Sequence, residues 1–181
     1  MLDHADNLVI AQQLGRPPKN VVEVAARCPA GHPCVITCYP LQAGGDSDNK
    51  LQRDDARRVP FPTLYWLTCP RVSAQLAHLE RDGKIGEVED AIAGDETLRN
   101  QLDCDHENYI AKRWQLLAAA DQLHVAEANL HDAFMNRGIG GMKNRQAIKC
   151  LHLHFAHHLA ESNAVGQLIA DRYDIHLCIG D

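Results

Sequence analysis

A change of sequence pattern at Pro70 constrains the fold of this chain more than any other feature. Before it, β-branched and aromatic residues form three runs, at 21–26, 34–39 and 61–68, which are typical of short strands. After it, apolar residues recur every three or four positions, which predicts helices throughout residues 71–181. This order of elements predicts an α+β fold, in which five or six helices cover a small, mostly antiparallel three-stranded sheet.

The length of 181 residues suits a single domain that is large enough to bury its own core. A short N-terminal helix and the three strands occupy residues 1–70, which we expect to pack against the helical half, 71–181. The run at 61–68 is apolar on both faces, and this predicts a central, covered strand. Residues 42–58 hold several aspartates and almost no large apolar side chain, so we expect a mobile acidic surface loop there.

Composition excludes several classes of protein. The net charge of -6 argues against nonspecific binding of nucleic acid, which depends on a basic face. No window reaches the ~18 apolar residues of a membrane span, and the N-terminus lacks the pattern of an export signal. These features predict a cytoplasmic protein without a membrane partner. The seven cysteines are an odd number, which favours free thiols or metal ligands over a disulfide framework.

Three cysteines stand at the ends of predicted elements. Cys28 and Cys69 close the first and third strands of an up-down-up meander, so they lie at the same edge of the sheet, and each precedes a proline that stiffens the turn. Cys150 lies near the start of a helix predicted from about residue 144 to 160, which also carries His152, His154 and His157. An irregular first turn of this helix would let His152 share a centre with Cys150.

Our first hypothesis is a metal-binding module. Three thiolates and one imidazole complete a tetrahedral zinc site, and three or four cysteines also hold an iron–sulfur cluster. The candidate thiolate ligands are Cys28, Cys69 and Cys150. In a regular helix His154 and His157 lie on the same side as Cys150, and His152 joins them when the first turn is irregular. A solvated polar helix face is the alternative interpretation of the neighbouring histidines, including His154.

The second hypothesis is an enzyme that uses a thiol. Cys150 is its candidate nucleophile, with His152 or His157 as the activating base. The glycine-rich, basic loop just before this helix predicts a site for a small anionic ligand, formed by Gly140, Gly141, Lys143 and Arg145. A helix stop and restart is the alternative interpretation of this loop. The third hypothesis is a scaffold whose helical half binds a partner and whose cysteines are buried as small apolar residues.

Several segments together resemble the bacterial family catalogued as domain of unknown function 501. They are Gln13-Leu14-Gly15-Arg16-Pro17-Pro18, Arg27-Cys28-Pro29, Phe61-Pro62-Thr63-Leu64-Tyr65-Trp66-Leu67-Thr68-Cys69-Pro70, Gly140-Gly141, Lys149-Cys150-Leu151-His152 and Ala156-His157. The resemblance spans nearly the whole chain. It implies Cys28, Cys69, Cys150, His152 and His157 as site residues, and it favours His152 as the imidazole ligand with His157 as the alternative. It implies no activity, because the family is uncharacterised.

Overall fold

The structure is a computed structural model that describes residues 2–44 and 54–178. It confirms the predicted α+β fold. Five strands are described: β1 (Val21–Arg27), β2 (Pro33–Cys38), β3 (Leu41–Gly44), β4 (Asp54–Pro60) and β5 (Tyr65–Leu67). The described helices are α1 (His4–Leu14), α2 (Pro70–Arg81), α3 (Lys84–Gly94), α4 (Glu96–Gln115), α5 (Ala119–Glu127), α6 (His131–Met135), α7 (Leu151–Ala160) and α8 (Ala164–Arg172), and a 3-10 turn covers Ile139–Gly141.

The main sheet has the strand order β1-β2-β5 and is antiparallel throughout. In the turn between β1 and β2, the N–H of Cys28 donates to the carbonyl of His32 and the N–H of Gly31 donates to the carbonyl of Cys28. Gly31 adopts a left-handed φ of 82° that suits glycine. All six side chains of β2 are buried, so β2 is the central strand. The prediction of a central third strand is therefore wrong. Residues 65–67 of that run form β5, which pairs with β2 and with no other described strand, so it is an edge strand. Pro62, which has no N–H to donate, lies before it.

Two strands border the region predicted as an acidic loop. Leu41 pairs with Pro60 and Ala43 with Arg58, so β3 and β4 form a separate two-stranded sheet. The loop prediction is wrong at these two ends, because backbone pairing needs no large apolar side chain. The rest of that prediction, residues 45–53, lies outside the described residues.

Each face of the main sheet is covered by a different layer. Val35 and Leu67 belong to the large core that the sheet forms with α2, α3, α4, α7 and α8. Ile36 and Cys38 point the other way and pack with Ile10 of α1. This alternation is expected for a strand buried on both sides.

The helix predicted to include Cys150 begins later than predicted. It starts at Leu151, not near residue 144, and Cys150 precedes it with an extended backbone (φ -164°, ψ 154°). The chain before it is irregular, since Gly140 and Gly141 both have positive φ values, of 62° and 81°. Cys150 is therefore not part of the helical surface, and its side chain direction is set by the loop.

No helix in the described part of the chain is long and apolar enough to cross a bilayer.

Candidate metal centre

Three potential metal ligands meet where α2 ends and α7 begins. Cys150 directly precedes α7, His152 lies in its first turn, and Glu80 is in the last turn of α2. The Cys150 thiol, a ring nitrogen of His152 and a carboxylate oxygen of Glu80 all lie within 4.8 Å of one another. Among residues 2–43 and 58–178, whose side chains the structure describes, this is the one group of three or more such side chains that close together. We call it the Glu80 cluster.

Both ring nitrogens of His152 have partners. Nε2 lies 3.0 Å from the carbonyl oxygen of Ser73, and Nδ1 lies 2.8 Å from Oε1 of Glu80. Because a carbonyl can only accept, Nε2 carries a proton and Nδ1 is the nitrogen directed into the cluster. Hydrogen bonding to Cys150, and then to Glu80, raises the pKa of His152 to about 9 in spite of its burial. The metal-free imidazole is therefore protonated near neutral pH.

Glu80 also fixes the start of α7. Its Oε1 accepts a hydrogen bond of 2.7 Å from the backbone N–H of Leu151, whereas Cys150 provides no side-chain cap. An acidic group at this position satisfies a helix-terminal donor and faces the positive end of the helix dipole. Sequence analysis missed Glu80, since a glutamate on a polar helix face carries no motif.

A cleft of about 350 Å³ opens beside the Glu80 cluster. Cys150 and His152 line one side of it, and residues Tyr65, Trp66 and Leu67 of β5 line another. The cysteine and the histidine are each partly exposed, so a small molecule in the cleft would reach them. A volume of this size is at the lower end of small-molecule sites.

Cys28 and Cys69 lie at the same end of the main sheet, as the meander predicts. Both are buried in the large core, together with Cys34, whose carbonyl accepts the backbone N–H of Cys69. The thiol of Cys69 lies 3.6 Å from that of Cys178. Neither Cys28 nor Cys69 belongs to the Glu80 cluster. The structure thus brings Cys150 and His152 together and leaves the other two predicted ligands outside their group.

His157 is buried in a separate polar network inside the core. Its ring stacks on Tyr65 at 5.2 Å and faces Tyr109 at 5.3 Å, and its Nδ1 accepts a hydrogen bond of 3.2 Å from Asn163. The amide oxygen of Asn163 in turn lies 3.3 Å from Nδ1 of His154. Burial lowers the pKa of His157 to about 4 and that of His154 to about 3. The solvated interpretation is therefore wrong for His154, which is 3% exposed.

The glycine-rich loop is held by contacts within the protein. A side chain on Gly140 would collide with Leu153, whose Cδ1 lies 2.4 Å from the position of the missing Cβ. The N–H of Gly141 donates to a carbonyl of the same loop, and Arg145 forms an ion pair with Glu107. Lys143 is exposed. The anion site at Gly140, Gly141, Lys143 and Arg145 stays a prediction.

Most of the chain matches a known protein family. The sequence pattern of the family described as "Protein of unknown function (DUF501)" matches residues 24–171 of the 181-residue chain. The chain belongs to the DUF501 family. The match confirms the resemblance seen in the sequence, and it includes the whole Glu80 cluster of this DUF501 protein. No curated protein and no solved structure matches the chain.

We expect this DUF501 protein to lose stability in acid through His157. Because burial lowers its pKa from 6.5, the unfolded chain binds a proton that the folded chain does not. The contribution of the neutral, buried imidazole to the unfolding free energy is complete above about pH 6.5 and is lost as the pH falls towards 4. Between about pH 7 and about pH 5 the unfolding free energy falls by ~2 kcal/mol from this cause. Chemical denaturation should therefore show a weaker pH dependence of the unfolding free energy in His157→Gln than in the wild type.

The matched control is His4→Gln, which removes an exposed histidine and should keep the wild-type pH dependence. An unchanged slope in His157→Gln would contradict the assignment of this acid sensitivity to the buried imidazole.

Proposed function

We propose that the protein binds one zinc ion through Cys150 Sγ, His152 Nδ1 and the carboxylate of Glu80. The observation that carries this proposal is the approach of the three ligand atoms to within 4.8 Å of one another. A sulfur, a nitrogen and an oxygen ligand are all common in zinc sites. The hydrogen bond from Nε2 to the Ser73 carbonyl supports the same function, because ligating histidines usually donate their second N–H to such a group.

The ligand set favours zinc over an iron–sulfur cluster. Clusters are held mainly by several cysteine thiolates, and the Glu80 cluster offers a single thiol. Three protein ligands leave one position of a tetrahedral zinc ion open, and the neighbouring cleft gives that position access to solvent. An open position is the arrangement of catalytic zinc sites, in which the metal activates water or polarises a carbonyl.

We expect about one zinc ion per chain in protein purified without oxygen, measured by elemental analysis with an absorption spectrum. Cys150→Ala, His152→Ala and Glu80→Gln should each lower zinc affinity by ~10-fold or more, since each removes one ligand. Glutamine at position 80 keeps an acceptor for the Leu151 N–H, so this variant should retain α7. Cys104→Ala is the matched control, because it removes an exposed thiol outside the cluster.

Circular dichroism distinguishes loss of metal from loss of fold in these variants. Zinc-free wild-type protein, or a Cys150→Ala variant that keeps its zinc, would contradict the proposal. Cys28→Ala and Cys69→Ala test the wider ligand set predicted from the sequence: loss of zinc in both would show that these buried thiols take part. A brown protein with visible absorption would indicate a cluster instead of zinc.

A thiol-dependent enzyme is the second candidate. Cys150 is partly exposed at the cleft, and it lies beside an imidazole whose orientation Glu80 and Ser73 fix. A cysteine paired with such an imidazole is the usual arrangement of a reactive thiolate.

In metal-free protein at neutral pH, this candidate predicts that iodoacetamide modifies Cys150 ~10-fold faster than Cys104. The rates are measured by mass spectrometry of the modified peptides. His152→Gln should abolish the difference, since it removes the positive charge beside the sulfur. Equal rates at Cys150 and Cys104 in the wild type would remove the basis for nucleophilic catalysis.

A further inference from the structure

A second cavity, of about 440 Å³, lies on the α1 side of the main sheet. Ile36 and Cys38 of the central strand contribute to its lining, and both are buried. Phe61 and Trp66 line it as well. The volume is within the range of small-molecule sites, which is ~300–1,000 Å³. This cavity is separate from the Glu80 cluster, although Trp66 lines both it and the cleft beside Cys150.

The two aromatic residues form one wall of the cavity. Their ring centroids are 5.9 Å apart and their planes differ by 6°, which is an offset-stacked arrangement. Trp66 is partly exposed although it belongs to a strand of the sheet. Such a flat, partly open aromatic surface can stack against a second planar group such as a nucleobase.

Among the lining residues that the structure describes, two carry a charge, and both are cations. They are Arg16, whose guanidinium lies 5.8 Å from the centre of the Trp66 ring, and Lys19. Neither forms an ion pair with a carboxylate of residues 2–43 or 58–178, the ranges in which the structure describes side chains. Contact with Trp66 holds the guanidinium in place, so little of its freedom is lost when it binds an anion. In a chain of net charge -6, this lining selects for a negative ligand.

We propose that this cavity binds a nucleoside monophosphate or a ligand of the same chemistry, a planar aromatic group joined to a phosphate. The aromatic group stacks on the wall of Phe61 and Trp66, and the phosphate is bound by Arg16 and Lys19. A free phosphate would leave the aromatic wall unused. A long nucleic acid would need a continuous basic surface, and the acidic composition of the chain argues against one. The proposal does not depend on zinc binding at the Glu80 cluster.

Binding is tested by tryptophan fluorescence in a Trp114→Phe background, in which Trp66 is the remaining tryptophan. AMP should quench the emission of Trp66 saturably, because the base stacks against the indole. Adenosine, ribose 5-phosphate and inorganic phosphate each lack part of the ligand, and each should bind at least ~10-fold more weakly. A chelator in all samples prevents binding of the phosphate through a metal ion.

The variants Arg16→Gln and Lys19→Gln should each weaken AMP binding by ~10-fold. Isothermal titration calorimetry supplies the second measurement, since loss of Arg16 also changes the surroundings of the indole. Lys143→Gln is the matched control, because Lys143 is exposed and belongs to the glycine-rich loop. The proposal is overturned if AMP does not bind, if inorganic phosphate binds as tightly as AMP, or if Lys143→Gln alone abolishes binding.

A different observation concerns the C-terminal residues after α8. The side chain of Gln75 on α2 forms two hydrogen bonds with the backbone of His176, of 3.0 and 2.9 Å. Ile175, Leu177 and Cys178 pack against the large core. This two-point attachment brings the thiol of Cys178 to within 3.6 Å of the thiol of Cys69, which is van der Waals contact between two sulfur atoms.

We also infer that Cys69 and Cys178 form a disulfide when the protein meets a hydroperoxide. Cys178 is the more exposed thiol, since Cys69 is 2% exposed. Its thiolate attacks hydrogen peroxide, which breaks the O–O bond and gives a sulfenic acid and hydroxide. The thiolate of Cys69 then attacks the sulfenic sulfur and displaces a second hydroxide. In sum, two thiols are oxidised, one peroxide is reduced to two water molecules, and the residues after α8 are linked covalently to the residue that precedes α2.

Mass spectrometry of the full-length protein after treatment with hydrogen peroxide tests this inference. The intact mass should fall by about 2 Da, and digestion should yield a linked peptide pair that dithiothreitol separates. Cys178→Ser should abolish the link, whereas Cys34→Ser, which removes a buried thiol of the same core, should retain it. A link between other cysteines, or oxidation of Cys178 without any link, would overturn the inference.

Discussion

The carboxylate of Glu80 is the contact on which the candidate centre depends. One of its oxygens accepts both the backbone N–H of Leu151 and the ring N–H of His152. This single group therefore joins the last turn of α2 to the first turn of α7 and orients the imidazole that lies beside Cys150. A helix-terminal N–H and a charged side chain are both costly to leave without a hydrogen-bond partner. The packing of α2 against α7 brings the carboxylate to the position where it serves both.

The two faces of the central strand β2 lie towards different layers of the fold. Its large-core face carries Val35 and lies towards the helices that build the Glu80 cluster, whereas its other face carries Ile36 and Cys38 and borders the basic aromatic cavity. Trp66, on the adjacent edge strand, lines both spaces. A sheet that is covered on both faces in this way can support two binding sites of different chemistry. One offers a thiol, an imidazole and a carboxylate, and the other offers cationic side chains.

Sequence patterns predicted the elements whose signal is local. The prediction of 21–26 and 34–39 as strands differs from β1 and β2 by one residue at some ends, because β-branched runs and the turn at Gly31 define them. Residues 61–68 were harder to interpret: their apolar character reflects burial of Phe61 against Trp66 as well as strand pairing. The start of α7 was missed by several residues, since its N-terminal partner, Glu80, is distant in sequence.

The sequence by itself determined the α+β class and the placement of Cys28 and Cys69 at one end of the sheet. These follow from alternation, turn chemistry and short spacing, which act over a few residues. Only the tertiary structure decided that Glu80 completes the group, because its approach depends on how two helices pack across a sequence separation of 70 residues or more. Contacts between residues so far apart in the sequence produce no local pattern from which they could be predicted.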